Sequence, residues 1–494
     1  MPPLPTPLLA DATGLFVDGE WRAPDGAADV ADKFTGETVR TVSSAAASQV
    51  DAAVAGAARA ARTPPPPDER CRVLEAAAAA LTAHEDEVVA GYVAETGFTP
   101  ADARGELART AGILRMSAQE AVRIAGEEVP VAANPGSENR LAFTIRVPVG
   151  VVAAIAPFNA PLSTVAHKVA PALAAGNAVV LKPAELTPLS AMAIAEALRR
   201  AGLPPGLLQV VTGTGKVAGA ALAADPRIRY VTFTGSTAVG RAIRRASGLA
   251  RTHLELGANS ASIVAADADL DLVARTVTRA GFRKAGQVCT SVQRLLVDRR
   301  VAGELTERLA ARVGKLAAGD PRADGTDVGP MIAAAEAERA RGWIAEAVDQ
   351  GATLVRGGER DGAVLAPTLL ADLPARSRIM HEEIFAPMVA VVPVGGVDEA
   401  VGMVNDGAYG LQAGVFTRDV NAAFVAARDL RVGGVMINDT SSYHADNMPY
   451  GGVKDSGHGV EGPRYAVHDM TDPRIIVLNL QPPAAGGESP GETR

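Results

Sequence analysis

Residues 150–182 read GVVAAIAPFNAPLSTVAHKVAPALAAGNAVVLK, and their pattern decides the architecture. The apolar runs VVAAIA (151–156) and AVVLK (178–182) have strand length, and a proline-bearing loop and a stretch of helical periodicity separate them. The alternation continues through LLQVVT (207–212) and RYVTFT (229–234). Strands alternating with helices of about 12 residues imply right-handed crossovers and a parallel sheet, hence an α/β fold. The uncharged stretch 147–166 has the length of a membrane span, but Pro148, Pro157, Asn159, Pro161, Ser163 and Thr164 break it into a strand, a loop and the start of a helix.

Upstream, three alanine-rich segments carry helical periodicity: 48–62, capped by Ser48, then 68–90 and 100–124, separated by TPPPPD and ETGFTP. They read as amphipathic covers for the sheet. In GEEVPVAANPGSENRLAFTIRV (126–147) the NPGSEN turn lies between two short extended runs, which predicts a strand pair projecting from the body. Downstream, a second alternating region runs from residue 260 to about residue 437, with IVA, RLLV, PTLL and GVFT as its strands. The apolar run RIIVLNL (474–480) precedes a tail, QPPAAGGESPGETR, with the composition of a disordered end.

The chain has 494 residues, room for about two to four folding units. With 48 Lys+Arg against 56 Asp+Glu its net charge is −8 and no block of like charge is long, so an electrostatic grip on nucleic acid or anionic lipid is excluded. A small molecule is the expected partner. Cys71 and Cys289, the two cysteines, lack Cys or His neighbours at ligand spacing, so neither a disulfide scaffold nor a metal site is expected. The N-terminal MPPLPTPLLADATG has no basic region, its first positive side chain being Arg22, and so does not read as a signal peptide; a cytoplasmic location is the expectation.

Two glycine patterns follow strands. VVTGTGKVAG (210–219) fits neither the dinucleotide fingerprint nor a Walker motif, because its glycines fall at 213, 215 and 219. VTFTGSTAVG places Gly235, Ser236, Thr237 and Gly240 where a strand hands over to a helix, which suits either a phosphate or a plain helix cap. Cys289, in KAGQVCTSVQR, reads either as a small buried hydrophobe or as a nucleophile. Glu255, in THLELGANS, is a carboxylate among apolar neighbours: either a salt-bridged structural glutamate or, with a raised pKa, a general base working near neutral pH.

With APFNAP around Asn159, LKPAE around Lys182, FTGSTAVG, LELGANS, GQVCTS, EEIFAP around Glu383 and MPYGGVKDSG in order along it, the chain resembles the aldehyde dehydrogenase superfamily from about Leu15 to Leu480. That resemblance implies a Rossmann-like NAD-binding domain (13–125 and 147–257), an α/β catalytic domain (258–457), a small β oligomerisation element (126–146 and 474–480), and disordered tails (1–12 and 481–494). It implies that Cys289 attacks the aldehyde, that Asn159 and the Cys289 backbone N–H hold the oxyanion, that Glu255 activates water against the thioester, and that Glu461 belongs to a proton relay. NAD is the implied cofactor, with Lys182 and Glu185 at the adenine-side ribose, Ser236 at the pyrophosphate, Glu383 at the nicotinamide ribose and Phe385 beside the nicotinamide. Pro157, Ala184, Gly215, Phe233, Gly235, Val239, Gly240, Leu256 and Gly257 complete the implied cofactor site. Glu185 should repel the 2′-phosphate of NADP.

The closest resemblance within the superfamily is to the lactaldehyde, succinic semialdehyde and phosphonoacetaldehyde dehydrogenases, which implies a small polar or anionic aldehyde. Phe158, Ala160, Val288 and Thr290 are the expected substrate-pocket residues, and His444 stands where many relatives carry arginine. Arg109 reads either as facing the substrate or as an exposed helical arginine. Val460, in place of an arginine beside Glu461, leaves that carboxylate's ion pairing open. The terminal run RIIVLNL implies a homodimer or homotetramer. An NADP-linked semialdehyde dehydrogenase is the rival enzyme. A non-catalytic protein of the same fold would be signalled by loss of Cys289 or Glu255, and both are present.

Overall fold

The computed structural model describes residues 7–10, 12, 14–22 and 26–480. Its central feature is an eight-stranded sheet containing five adjacent parallel strands: Val151–Ile155, Ala178–Lys182, Leu208–Val210, Ile228–Thr234 and Arg251–Glu255. Numbered along the chain, they lie in space as third, second, first, fourth, fifth. The order therefore reverses between the first and the fourth, and in open α/β sheets the crevice beyond the carboxyl ends of two such strands is where ligands bind. Register sharpens the point. Ile155 lies opposite both Lys182 and Phe233, and Thr234 lies opposite Glu255. The loops beginning at Ala156, Pro183, Gly235 and Leu256 consequently leave the sheet along one edge.

A second sheet has seven strands in the order Thr353–Arg356, Thr368–Ala371, Met388–Val394, Arg294–Asp298, Ala261–Val264, Gln412–Phe416 and Gly434–Ile437. All neighbours in it are parallel except the first pair. Each sheet has its own apolar core, one drawn from residues 8–256 with Val467 and Met470, the other from residues 261–430. The four strands expected in this region are present, but Thr353–Arg356, Met388–Val394 and Gly434–Ile437 escape a reading by pattern. MVAVVPV carries Pro393 near its end, and the other two are only four residues long.

The long strands Arg140–Pro148 and Thr471–Asn479 pair antiparallel over their full nine residues, with Glu128–Val129 on the far side of the first. The arm they form exposes Leu141, Ile145, Ile475, Val477, Leu478 and Leu480, and the outer edge of Thr471–Asn479 has no strand beside it among the described residues.

Several local expectations need correction. The segment 68–90 is two helices, Pro67–Ala83 and Glu85–Thr96, broken at His84, whose ring Nδ1 lies 2.8 Å from the Ala80 carbonyl oxygen. Ser48 lies inside helix Ala47–Ala60 rather than capping it; the N–H of Ala46 is taken up by the Gln49 side chain at 2.9 Å. Part of the supposed N-terminal tail is ordered, because Leu8, Leu9 and Ala12 are buried and the N–H groups of Leu8 and Leu9 donate to the Glu87 carboxylate at 2.6 and 2.8 Å. Residues 1–6, 11 and 481–494 lie outside the described residues. No helix among the described residues is long and apolar enough to cross a membrane.

Candidate active site

Beyond the carboxyl edge of the first sheet lies a cavity of about 1020 Å³. Of the residues expected around a dinucleotide, Pro157, Lys182, Ala184, Glu185, Gly215, Phe233, Gly235, Ser236, Val239, Leu256, Gly257, Glu383 and Phe385 line it, and so do Phe158, Asn159 and Cys289. Gly240 does not. It sits within helix Thr237–Ala246, where a Cβ would come 2.3 Å from Leu256 Cδ2, so its role is close packing of the helix.

The chemistry of the cavity wall suits a dinucleotide. Gly235, Ser236 and Val239 bring the N-terminus of helix Thr237–Ala246, the positive end of its dipole, to the wall. Ser236 also caps this helix, accepting from the Val239 N–H at 3.4 Å. Lys182 is buried; burial lowers its pKa, Glu185 opposes this, and its Nζ donates to the Pro183 carbonyl at 2.8 Å. Glu185 is exposed and accepts the Gly215 N–H. Burial pushes the Glu383 carboxyl up to about 8, although the Ala258 N–H donates to it at 3.1 Å. A Cβ on Gly257 would stand 2.7 Å from Glu383 Oε2, so this glycine keeps the carboxylate's place free. Phe385 holds a left-handed backbone (φ 51°) and meets Phe158 edge to face at 5.9 Å.

Cys289 follows a strained turn. Lys284, Ala285 and Gly286 are left-handed in succession, with φ of 51°, 52° and 68°. Only glycine fits the third position, since a Cβ would lie 2.0 Å from the Ala386 carbonyl oxygen. Non-glycine residues in this region cost about 1–3 kcal/mol each and persist where the surroundings fix them. Here the Lys284 ammonium is buried against the Glu106 carboxylate and donates to the Asn159 carbonyl at 3.0 Å. Glu106 in turn accepts from the N–H groups of Leu162 and Ser163 and from the Tyr92 hydroxyl. The same ion pair therefore braces both the cysteine turn and the Asn159 loop. The Asn159 amide donates to the Gln287 carbonyl at 2.9 Å, and the Ser260 hydroxyl donates to the Cys289 carbonyl at 3.1 Å.

Glu255 ends its strand buried and outside the cavity wall. Its Oε1 lies 3.1 Å from His253 Nε2, while Oε2 has no hydrogen-bond partner among the described residues. Burial and then the charge of Glu461 raise its pKa well above the carboxylate range; Lys168 opposes them. Burial also pushes His253 down to about 4, which leaves it neutral. Glu461, likewise off the wall, is ion-paired at 3.1 Å with fully buried Lys168; burial pushes the Glu461 pKa up, but the charges of Lys168, His167 and His253 and the Lys168 hydrogen bond together hold it down to about 2. The missing arginine at exposed Val460 is thus replaced by a lysine from helix Ser163–Ala174.

On another side of Cys289 lies a charged cluster. The Cys289 Sγ is 3.0 Å from the Tyr450 hydroxyl, and the Tyr450 ring meets the His444 ring edge to face at 4.7 Å. Arg109 reaches this cluster: its Nη2 is 2.6 Å from Asp446 Oδ1 and 3.0 Å from His444 Nδ1. His167 Nε2 lies 3.1 Å from the same Asp446 oxygen. Arg283 donates to the Ser442 hydroxyl at 3.0 Å and has no carboxylate within 4.0 Å among the described residues; burial lowers its pKa, and the charges of Asp102, Arg109 and Cys289 act on it. Ala160, Val288 and Thr290 do not line the cavity; the Thr290 carbonyl instead accepts from Ser441. Sequence reading passes over Arg283, Lys284, His253 and Tyr450. The available signals were the two cations immediately before AGQVC, the histidine two residues before Glu255 on the same strand face, and the hydroxylated ring in MPYGG.

Residues 21–476 match the model of the aldehyde dehydrogenase family. The chain is 48% identical over 467 residues to a 3-sulfolactaldehyde dehydrogenase of Priestia aryabhattai, covering 94% of this chain and 98% of that protein. Its structure is similar, with a TM-score of 0.91 and 36% identity, to aldehyde dehydrogenase 21 from Physcomitrella patens in complex with the reaction product succinate; the match covers 96% of this chain and 98% of that one. NADP-dependent glyceraldehyde-3-phosphate dehydrogenase from Bacillus halodurans, complexed with NADP, gives a TM-score of 0.93 at 36% identity over 95% of this chain and 99% of that one.

Proposed function

The chain belongs to the aldehyde dehydrogenase family, and from that premise we propose that it oxidises a small aldehyde with an anionic group to the carboxylate, using NAD. The carrying observation is Arg283, a guanidinium six residues before Cys289 whose charge interacts with it and whose hydrogen-bond partner among the described residues is the Ser442 hydroxyl. Arg109 is already neutralised by Asp446, so the three side chains carry one net positive charge within electrostatic reach of the cysteine. A desolvated cation with no carboxylate in contact is costly unless a ligand pairs with it. The three relatives agree in kind: their names speak of a sulfonated aldehyde, succinate and a phosphorylated aldehyde.

In this reading the Cys289 thiolate bonds to the carbonyl carbon and charge moves onto the carbonyl oxygen. The Asn159 amide has one N–H on Gln287 and a second to offer that oxygen, with the Cys289 backbone N–H as the other donor. Bound NAD supplies the acceptor for the hydride. Glu255, with its high pKa and unpartnered Oε2, takes the proton of the water that opens the thioester, and Glu461 with Lys168 sets the field around it. Lys182, Glu185, the helix beginning at Thr237 and Glu383 hold the two ends of the cofactor. The carboxylate of Glu185 favours free ribose hydroxyls over a phosphate, although the Bacillus relative is NADP-dependent. The exposed apolar arm supports assembly into a homo-oligomer.

The test is a kcat/KM comparison of 3-sulfolactaldehyde, succinic semialdehyde, glyceraldehyde 3-phosphate, lactaldehyde and propanal, each with NAD and with NADP. At least one anionic aldehyde should exceed propanal by roughly a hundredfold, the value of one good charged contact. Propanal equal to the best anion would overturn the substrate assignment, and NADP equal to NAD would overturn the cofactor assignment.

A further inference from the structure

We propose that Tyr450 is a further catalytic residue: its buried hydroxyl, aimed at Cys289 Sγ from 3.0 Å, donates a hydrogen bond that favours the thiolate. The inference rests on the reading of Cys289 as nucleophile. The ring is held from three directions. It packs with Ala258 and Leu411, meets the edge of His444, and its backbone pairs antiparallel with that of Glu461, N to O at 3.2 Å and O to N at 2.6 Å. With the ring fixed, the hydroxyl's direction is fixed.

The cysteine needs such a donor. Burial pushes its thiol up to about 12, and the carboxylates facing it, Glu383, Glu255 and Glu461, act in the same direction. Arg283 acts on it from outside contact distance, and no cationic nitrogen is bonded to Sγ among the described residues. The Tyr450 hydroxyl is the side-chain group in hydrogen-bond contact with the sulfur that works against the burial. Burial also raises the tyrosine's own pKa well above its usual value, so it stays protonated and donates throughout the working range. A thiolate accepts a hydrogen bond more strongly than a thiol does, and the bond therefore stabilises the charged form selectively. No proton is transferred. When sulfur bonds to carbon, its charge passes to the carbonyl oxygen and the tyrosine keeps its hydrogen.

This gives a signature that a packing role would not produce. A hydrogen bond to a charged group is worth roughly a tenfold shift in the ionisation equilibrium, about one pH unit. Thiolate nucleophilicity falls with pKa at a Brønsted slope of about 0.4–0.5, so the bond also makes each thiolate about threefold less reactive. In a Cys71→Ala background, with its thiol outside the site, iodoacetamide alkylation of Cys289 is followed against pH for Tyr450 and for Tyr450→Phe. Removing the hydroxyl should move the inflection up by about one unit, slow alkylation about threefold near neutral pH, and raise the limiting alkaline rate about threefold. An unchanged inflection and limiting rate overturn the proposal. If Tyr450→Phe does not fold, replacement of all six tyrosines by 3-fluorotyrosine, whose hydroxyl is the stronger donor, should lower the inflection, and no movement overturns it. Full turnover in Cys289→Ala would instead defeat the nucleophile reading, separately from the alkylation result.

Discussion

Replacing Arg283 by glutamine tests the substrate assignment most directly. Glutamine keeps a donor near Ser442 and removes the charge. A guanidinium meeting an anion at about 4 Å in a medium of effective dielectric 20 gains at most roughly 4 kcal/mol of Coulomb energy. Hydrogen bonds to charged groups contribute about 1.5–3 kcal/mol after water is displaced, and that range sets the expected loss for an anionic aldehyde. In kcat/KM it corresponds to roughly 10- to 150-fold. Propanal, which offers no anion, should change by less than about threefold, and the ratio of the two substrates cancels any shared disturbance of Cys289. Stability supplies the complementary readout. Arg283 has no carboxylate within 4.0 Å among the described residues, so its removal leaves no orphaned buried partner, and thermal unfolding should shift little or rise. Steady-state kinetics with both aldehydes and a melting curve decide the matter. An equal fall for propanal and the anionic substrate, or no fall for either, would refute the reasoning.

Glu255→Gln should retain a burst of reduced cofactor on rapid mixing while steady turnover drops by orders of magnitude, whereas Cys289→Ala should lose both and Cys71→Ala neither. Because the base must be ionised and its pKa is raised, deacylation-limited kcat should climb with pH through an inflection above the ordinary carboxylate range; Lys168→Met, removing the charge that lowers that pKa, should move the inflection higher still in a kcat–pH profile. Glu185→Ser should weaken NAD and improve NADP, narrowing their kcat/KM ratio by roughly tenfold or more; an unchanged ratio would mean that Glu185 serves only the Gly215 N–H. Replacing Ile475 and Val477 by aspartate should shift the particle mass measured by light scattering toward the single chain, and an unchanged mass would remove the arm from any assembly interface.

The parallel sheet was readable because its strands are short, continuously apolar and flanked by glycine and proline, and the crossover rule leaves few topologies. Its switch point was less so, since strand order depends on which faces the helices cover. Pattern failed where strands are brief or carry proline, as in Gly434–Ile437 and Met388–Val394, and where a helical stretch is broken by one residue without glycine or proline, as at His84. The cavity wall was legible for the same reason as the sheet. Its residues follow strand ends within a few positions, so Pro157, Lys182, Gly235 and Leu256 share an edge as soon as the strands are in register.

The far side of Cys289 follows no such rule. Arg109, His167, Arg283 and the loop carrying His444 and Asp446 come from separate parts of the chain, and what each contributes depends on the others. In sequence Arg109 and Arg283 are equivalent, one arginine on a helix and one beside a turn. In space Asp446 neutralises the first, while the second, within electrostatic reach of the cysteine, is bonded to a hydroxyl and to no carboxylate among the described residues. Charge compensation is a property of pairs distant in sequence, and here it separates a structural ion pair from a candidate anion anchor. The same holds for Lys284. Its left-handed backbone is sustained by Glu106, a residue 178 positions away, so the turn that presents the cysteine is specified by a helix far upstream as much as by the glycine that follows it.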